Sequence, residues 1–229
     1  MRQPAAAPRA LWRADVWSRV RCAWFAKMTA TTLGISGFFV AYFWVLHHPR
    51  FPLTVMPLTA LDRWVDFRPE ALPVYLSLWL YVSLAPALLK SLRELASFGL
   101  AALALSAIGL GIFTLWPTAI PSFDIDWSQH PSIQFLKTVD VASNACPSLH
   151  VAFAVFTALW LERLLLEMHS GMALRVLNAL WCLGILYSTL ATRQHVVIDV
   201  VAGAALGGIV AAVHLRALRP AALASPTGS

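Results

Sequence analysis

The stretch TRQHVVIDVVAGAALGGIVAAVHL, residues 192–215, opens on polar residues, runs apolar for a helix length, and keeps one carboxylate, Asp199, within the apolar part. From Val196 to Leu215 it supplies the roughly 20 residues that a helix needs to cross the hydrocarbon core of a bilayer. A helix is the natural form for such a run, because in lipid every backbone N–H and C=O must be satisfied inside the segment or in a closed barrel. Reading outward, five more apolar stretches lie at 29–47, 71–89, 97–116, 148–168 and 175–192, each set off by polar residues. The pattern predicts an all-α integral membrane protein, a bundle of six transmembrane helices. Residues 1–28 are then a basic N-terminal segment, 29–215 the membrane domain, and 216–229 a disordered tail rich in Ala, Pro and Ser. The first stretch is too long for a signal peptide, and His47-His48-Pro49-Arg50 offers no small-residue cleavage site.

Composition agrees: 59% of the chain is hydrophobic and 12% charged, against roughly 25% charged in soluble domains. The net charge of +6 is spread over helix ends rather than gathered on an aromatic-interleaved surface, which argues against nucleic acid as a partner. Cys22, Cys146 and Cys182 fall in separate segments with no CxxC spacing, so neither a disulfide framework nor a zinc site is indicated. With the N-terminus inside, Arg2, Arg9, Arg13, Arg19, Arg21, Lys27, Lys90, Arg93, Arg163, Arg175, Arg216 and Arg219 lie on the inner side, 12 of the 17 basic residues. Arg50, Arg63, Arg68, Lys137 and Arg193 are left outside, and this bias predicts that both termini are cytoplasmic. Of the two long outer loops, 48–70 reads as a solvated connection. The other, 117–147, carries a short interfacial helix near Ile133 to Val141, with Trp116 and Trp127 at headgroup level.

Polar residues at the mouths of apolar helices need a partner or a task. Here they gather at Pro147-Ser148-Leu149-His150 and at Thr192 to Asp199. The residues between His150 and His195 make one helix inward and one outward, so both histidines return to the same membrane surface. His195 and Asp199 stand four apart on one helix face, where the carboxylate can take one ring N–H and leave the other nitrogen unprotonated. A fixed neutral imidazole suits nucleophilic attack on phosphorus, and a second histidine, His150, can protonate the leaving oxygen and then activate water. Ser148, Arg193 and the N–H groups that open the fourth helix can hold the phosphate oxygens.

At these residues the chain resembles the type 2 phosphatidic acid phosphatase superfamily, in particular the branch with inositol phosphorylceramide synthases and many bacterial membrane phosphatases. Cys146-Pro147-Ser148-Leu149-His150 is similar to that family's second signature, and Gln194-His195-Val196-Val197-Ile198-Asp199-Val200-Val201-Ala202-Gly203 to its third. The likeness extends over 29–215. It implies a phosphohistidine on His195, Asp199 as its orienting partner, His150 as general acid, Ser148 and Arg193 as phosphate contacts, and a lipid phosphate as substrate. It also implies a bacterial plasma membrane, with the site facing the periplasm or exterior. The family's basic first signature has no match near Leu115-Trp116-Pro117-Thr118. Lys90 and Arg93 are suitably spaced but belong to the inner surface, about 30 Å away by helix length. The phosphate charge then falls to Arg193, to Lys137, or to Arg63 or Arg68 folding over from the first outer loop.

Plainer readings stand beside these. His195 and Asp199 could be a packing pair, but polar contacts between membrane helices average only about 0.6 kcal/mol, a weak reason to place a carboxylate there. A metal site of His150, His195 and Asp199 lacks an HExxH motif or a further ligand. Ser148 is an ordinary helix N-cap, and Arg193 an ordinary interface anchor. His47, His48, His130, His169 and His214 read as interfacial, and Gly203 and Gly207 with Ala202 and Ala205 as a helix-packing stripe. The reaction expected is hydrolysis of a phosphomonoester or pyrophosphate on a lipid, without metal or cofactor. A phosphotransferase using a lipid or sugar hydroxyl is the near alternative. A catalytically silent scaffold or a transporter is the distant one, and a transporter predicts broken helices or an inverted repeat, neither of which the sequence displays.

Overall fold

The computed structural model describes residues 8–139 and 144–218. Ten helices are described: α1 (Pro8–Arg21), α2 (Trp24–His47), α3 (Ala60–Trp64), α4 (Leu72–Leu76), α5 (Leu78–Ala87), α6 (Leu92–Leu115), α7 (Pro131–Val139), α8 (Leu149–Glu167), α9 (Met172–Ala191) and α10 (Val197–Ala217). Two short strands, β1 (Thr54–Val55) and β2 (Thr118–Ala119), pair in parallel. Of the helices, α2, α6, α8, α9 and α10 are long and apolar enough to cross a membrane.

The stretch 71–89 departs from the expectation of six unbroken helices, because it divides into α4 and α5 at Ser77. The Ser77 hydroxyl donates to Val74 O at 2.6 Å, competing for a carbonyl the helix would use. Ser77 keeps right-handed helical angles, so the chain continues without unwinding. Near the far end Pro86 has no N–H to give, and the last turn closes through Leu88 and Leu89 N–H groups instead. Trp181 of α9 donates to Ser77 Oγ at 2.9 Å and thereby ties the break to its neighbour.

Helix α8 is the axis of the packing, touching α5, α6, α9 and α10. Trp160, Phe156 and Leu164 of α8 are fully buried with Tyr81 of α5, Leu105 of α6 and Ile185 of α9. Helix α10 lies closest, because a Cβ at Gly203 would strike Ser148 O and one at Gly207 would strike Ala152 O. The small-residue stripe is therefore a contact surface at Gly203 and Gly207, whereas Ala205 of the same expected stripe is exposed.

The bundle has two chemically different ends. At one, Arg163 pairs with Glu94 at 3.0 Å and Glu167 at 2.9 Å, and Lys90 lies 3.3 Å from Glu167. Lys27 donates to Arg19 O at 2.6 Å and Ala87 O at 3.1 Å, placing a cation on the C-terminal carbonyls of α1 and α5. The N-terminal segment, read from sequence only as basic, is thus a helix docked on this end. At the other end the loops form a folded cap. Residue Thr118 of β2 receives Ala145 N–H on its carbonyl at 3.1 Å and Cys146 N–H on Oγ1 at 2.7 Å. Helix α7 realises the expected interfacial helix from Ile133 to Val139; residues 140–141 of that expectation lie outside the described residues, as does the tail from 219 onward. His214 lies in the last turn of α10, near the helix end as expected, 3.0 Å from Ser97 Oγ and against Trp160.

Candidate active site

Three segments meet at the capped end: the start of α8, the turn from α9 into α10, and the loop between α2 and α4. Ser148 caps α8, its Oγ accepting Val151 N–H at 3.2 Å, while its own N–H donates to Asp199 O at 3.0 Å. The plain N-cap reading of Ser148 is therefore realised, and the same residue fixes α8 to α10.

His195 stands just before α10. Its Nδ1 lies 3.5 Å from Oδ2 of fully buried Asp199, and that oxygen also accepts Val196 N–H at 3.0 Å. The four-residue spacing read from the sequence thus puts the carboxylate beside Nδ1, in a 3.5 Å charge contact rather than a hydrogen bond, with Nε2 on the other side of the ring. His150, on the first turn of α8, stacks flat on Tyr75 with 4.0 Å between ring centroids and meets Trp79 edge-on at 6.0 Å. Its Nε2 lies 3.2 Å from Tyr75 O. A carbonyl only accepts, so Nε2 carries the hydrogen and the neutral ring exposes Nδ1 as its basic atom.

Both histidines line one cavity of about 1030 Å³ that extends between α2, α5, α6 and α8. Along α6 the lining reaches from Phe113 to Leu95, and along α2 from Phe43 to Ala30, which is roughly 20–27 Å of helix rise. Among the described residues no Asp, Glu, Lys or Arg lines it; its polar groups include His195, His150, Asn144, Tyr75, Thr157 and Ser106. Among the described residues no group of three or more His, Cys, Asp or Glu side chains is arranged to hold a metal ion.

Comparison with protein-family models matches residues 91–221, more than half of the chain, to the PAP2 superfamily. The chain belongs to the PAP2 superfamily. Searches of curated proteins and of solved structures gave no match. Membership in a family of phosphatases makes the chain an enzyme of phosphate-ester chemistry, and its five long apolar helices make it an integral membrane protein.

Within this PAP2 chain the expected cations are arranged in ways the sequence does not disclose. Arg193, at φ 54, sends its guanidinium into the first outer loop, donating to Asp62 O at 3.0 Å and Val65 O at 2.7 Å and lying 4.8 Å from the centre of the Phe123 ring. Lys137 of α7 donates to Arg193 O at 3.2 Å and sits 4.4 Å over the Trp127 ring. Lys90 pairs with Glu167 at the opposite end of α8 from His150, some 25 Å distant by helix rise. The loop 48–70, expected as a solvated connection, is instead part of the site's scaffold. Buried Asp62 accepts Val197 N–H at 2.8 Å, so a carboxylate from the loop occupies the N-terminus of α10. Asp62 and Asn144 escaped the sequence reading; a capping Thr59-x-x-Asp62 pattern was the one available signal for the first.

Cys146 opens the segment likened to the second signature and lies beside Asp199. Burial first, and then the Asp199 charge, push its thiol up to about 11. It therefore stays protonated and unreactive at neutral pH. Iodoacetamide at pH 7.5 should label exposed Cys22 alone and leave Cys146 and Cys182 unmodified until the protein unfolds, as mass spectrometry of tryptic peptides would report. Rapid labelling of Cys146 in the folded protein would contradict this burial.

Proposed function

We propose that this protein hydrolyses a phosphomonoester or pyrophosphate on a lipid, through a phosphohistidine on His195, at the non-cytoplasmic face of a bacterial plasma membrane. The observation that carries the reading is the continuity of one apolar, membrane-deep cavity with both histidines. A tail in that cavity places its headgroup phosphate at the capped end, beside Nε2 of His195. The nitrogen attacks phosphorus, and the bond to the lipid oxygen breaks as that oxygen takes from His150 Nδ1 a proton that the ring has picked up from the incoming phosphate monoester. Water then attacks the phosphohistidine, giving up a proton to His150, and inorganic phosphate leaves. Asp199 holds the His195 ring and offsets its developing positive charge. Tyr75 O holds Nε2–H of His150, so its proton traffic passes through Nδ1.

The basic end, with Lys27, Lys90, Arg93 and Arg163, supports a cytoplasmic placement of that end and a sixth crossing made by α4 and α5 together. Histidine attack needs no metal. The reading is tested by release of inorganic phosphate from a panel of lipid phosphates in detergent, with and without EDTA. Chelator-resistant release from lipid phosphates, well above that from a soluble ester such as glycerol phosphate, is expected. Silence across the panel would overturn it, and appearance of a new phosphate-linked lipid in vesicles would favour the phosphotransferase reading.

The cavity also sets a chain-length expectation. A Cβ at Gly34 or Gly99 would meet no atom within 4 Å, so larger side chains there fill the cavity rather than strain the fold. Gly99→Trp should lower kcat/KM for long-chain lipid phosphates about tenfold or more, and leave short-chain substrates nearly untouched. Equal effects on both chain lengths would contradict a tail lying in this cavity.

A further inference from the structure

A phosphate brought to His195 meets a cavity wall that, among the described residues, holds no lysine or arginine. Both terminal nitrogens of Arg193 are already spent on the carbonyls of Asp62 and Val65. Arg193 Nε is buried without a partner but does not belong to the cavity lining, so the described donors in the wall itself are neutral, and one side chain has the required properties. Asn144 lines the same cavity as His150 and His195, is only 5% exposed, and its Nδ2 has no hydrogen-bond partner. Buried amide donors are rarely left unsatisfied, so an orphan here calls for an acceptor that arrives from outside the chain.

The backbone holds this amide in place. Asn144 adopts φ 68, in the left-handed region that asparagine tolerates better than most residues. The next two residues are bound to Thr118 at 3.1 Å and 2.7 Å. Four residues on, α8 begins, and its first-turn N–H groups at Leu149 and His150, both in cavity-lining residues, have no partner within the helix. An amide and a helix N-terminus thus converge on one concavity with no charged side chain in its wall among the described residues.

We propose that Asn144 Nδ2, together with the first-turn N–H groups of α8, binds a non-bridging oxygen of the substrate phosphate. Asn144 is then a substrate-binding residue that takes up, from the cavity wall, a role expected of Arg193 and Lys137, neither of which lines the cavity. This rests on His195 as the site of phosphoryl transfer, and the test separates the two ideas.

The full chain in detergent is assayed with a lipid phosphate as parent, Asn144→Ala and Asn144→Asp, with inorganic phosphate as competitive inhibitor. Asn144→Ala should lower kcat/KM and weaken phosphate inhibition, each about 10- to 100-fold, with only the small fall in the thermal unfolding midpoint that alanine in the left-handed region brings. Asn144→Asp keeps the shape but faces phosphate with an anion. Its loss at neutral pH should exceed that of alanine, and its activity relative to the parent should recover toward the ordinary carboxyl pKa of about 4, where the group again offers a hydrogen. An active parent with Asn144→Ala within about threefold on both readouts overturns the proposal. So does a loss of rate accompanied by a lowered midpoint and unchanged phosphate inhibition. A parent that releases no phosphate defeats the His195 reading instead. Calorimetric binding of inorganic phosphate then decides Asn144: loss in Asn144→Ala supports it, and equal binding overturns it.

Discussion

His195→Ala is expected to lower phosphate release by about 10⁴-fold or more, since removing a covalent nucleophile takes away the whole path through the intermediate. His150→Ala should cost less on a lipid alkoxide substrate, about 10²- to 10⁴-fold, the usual worth of a positioned acid or base. The two losses separate by leaving group. A phosphate ester of nitrophenol departs without a proton, so His150→Ala should keep most of the first step on it and accumulate the phosphorylated enzyme, because water activation also falls to His150. His195→Ala should be equally dead on both substrates. Quench-flow with radiolabelled phosphate reads this directly as acid-labile, base-stable label on the protein. Label that survives His195→Ala, or a His150→Ala defect of the same size on both leaving groups, would defeat the assigned roles. Electrostatics supports the ordering: Asp199 stands 3.5 Å from His195 Nδ1, whereas His150 lies against the Tyr75 carbonyl and the rings of Tyr75 and Trp79.

The parts of this molecule that were legible in the sequence are those whose physics is local. Five of the long helices follow from continuous apolar runs, which lipid permits in few other forms. The His195–Asp199 pair follows from a four-residue spacing, and the shared end of His150 and His195 from the length of two helices. What was not legible depends on meetings between distant segments. Ser77 looks like any serine in an apolar run, and only its neighbours, Val74 O and Trp181, give it the role of a break. Arg193 is placed two residues before His195 as a phosphate contact would be, yet its nitrogens reach residues 131 and 128 positions away. Asn144 carries no sequence mark beyond a residue type that accepts a left-handed turn. The loop 48–70 failed for a related reason. Its charges suggested solvent, but one of them is buried as the counterpart of a helix N-terminus that no residue on α10 fully caps.

That buried charge yields the second large expectation. Asp62 accepts Thr59 N–H and Thr59 Oγ1–H on Oδ2, both at 2.7 Å, and Val197 N–H on Oδ1 at 2.8 Å. Alanine at this position would leave buried donors without acceptors, each costing about 1–3 kcal/mol, and would remove an anion from the positive end of α10. Asp62→Ala is thus expected to lose about 3 kcal/mol of stability. Asp66→Ala, a few residues away and exposed in its pairing with Arg68 at 3.3 Å, should change stability by less than about 0.5 kcal/mol. The activity consequence differs from that of a catalytic change. Asp62 O also receives Arg193, so the loop fixes the chain two residues to either side of His195, at Arg193 and at Val197. Loosening it should raise the spread of His195 orientations and lower kcat even at temperatures where the variant is fully folded. Asp62→Asn keeps one carboxamide oxygen for Val197 N–H and should recover most of kcat while restoring only part of the stability. Thermal unfolding and steady-state rates measured on the same detergent preparations test both halves. If Asp62→Ala unfolds within a degree of Asp66→Ala, the loop is a connection after all, and the N-terminus of α10 must be held by Asp199 alone.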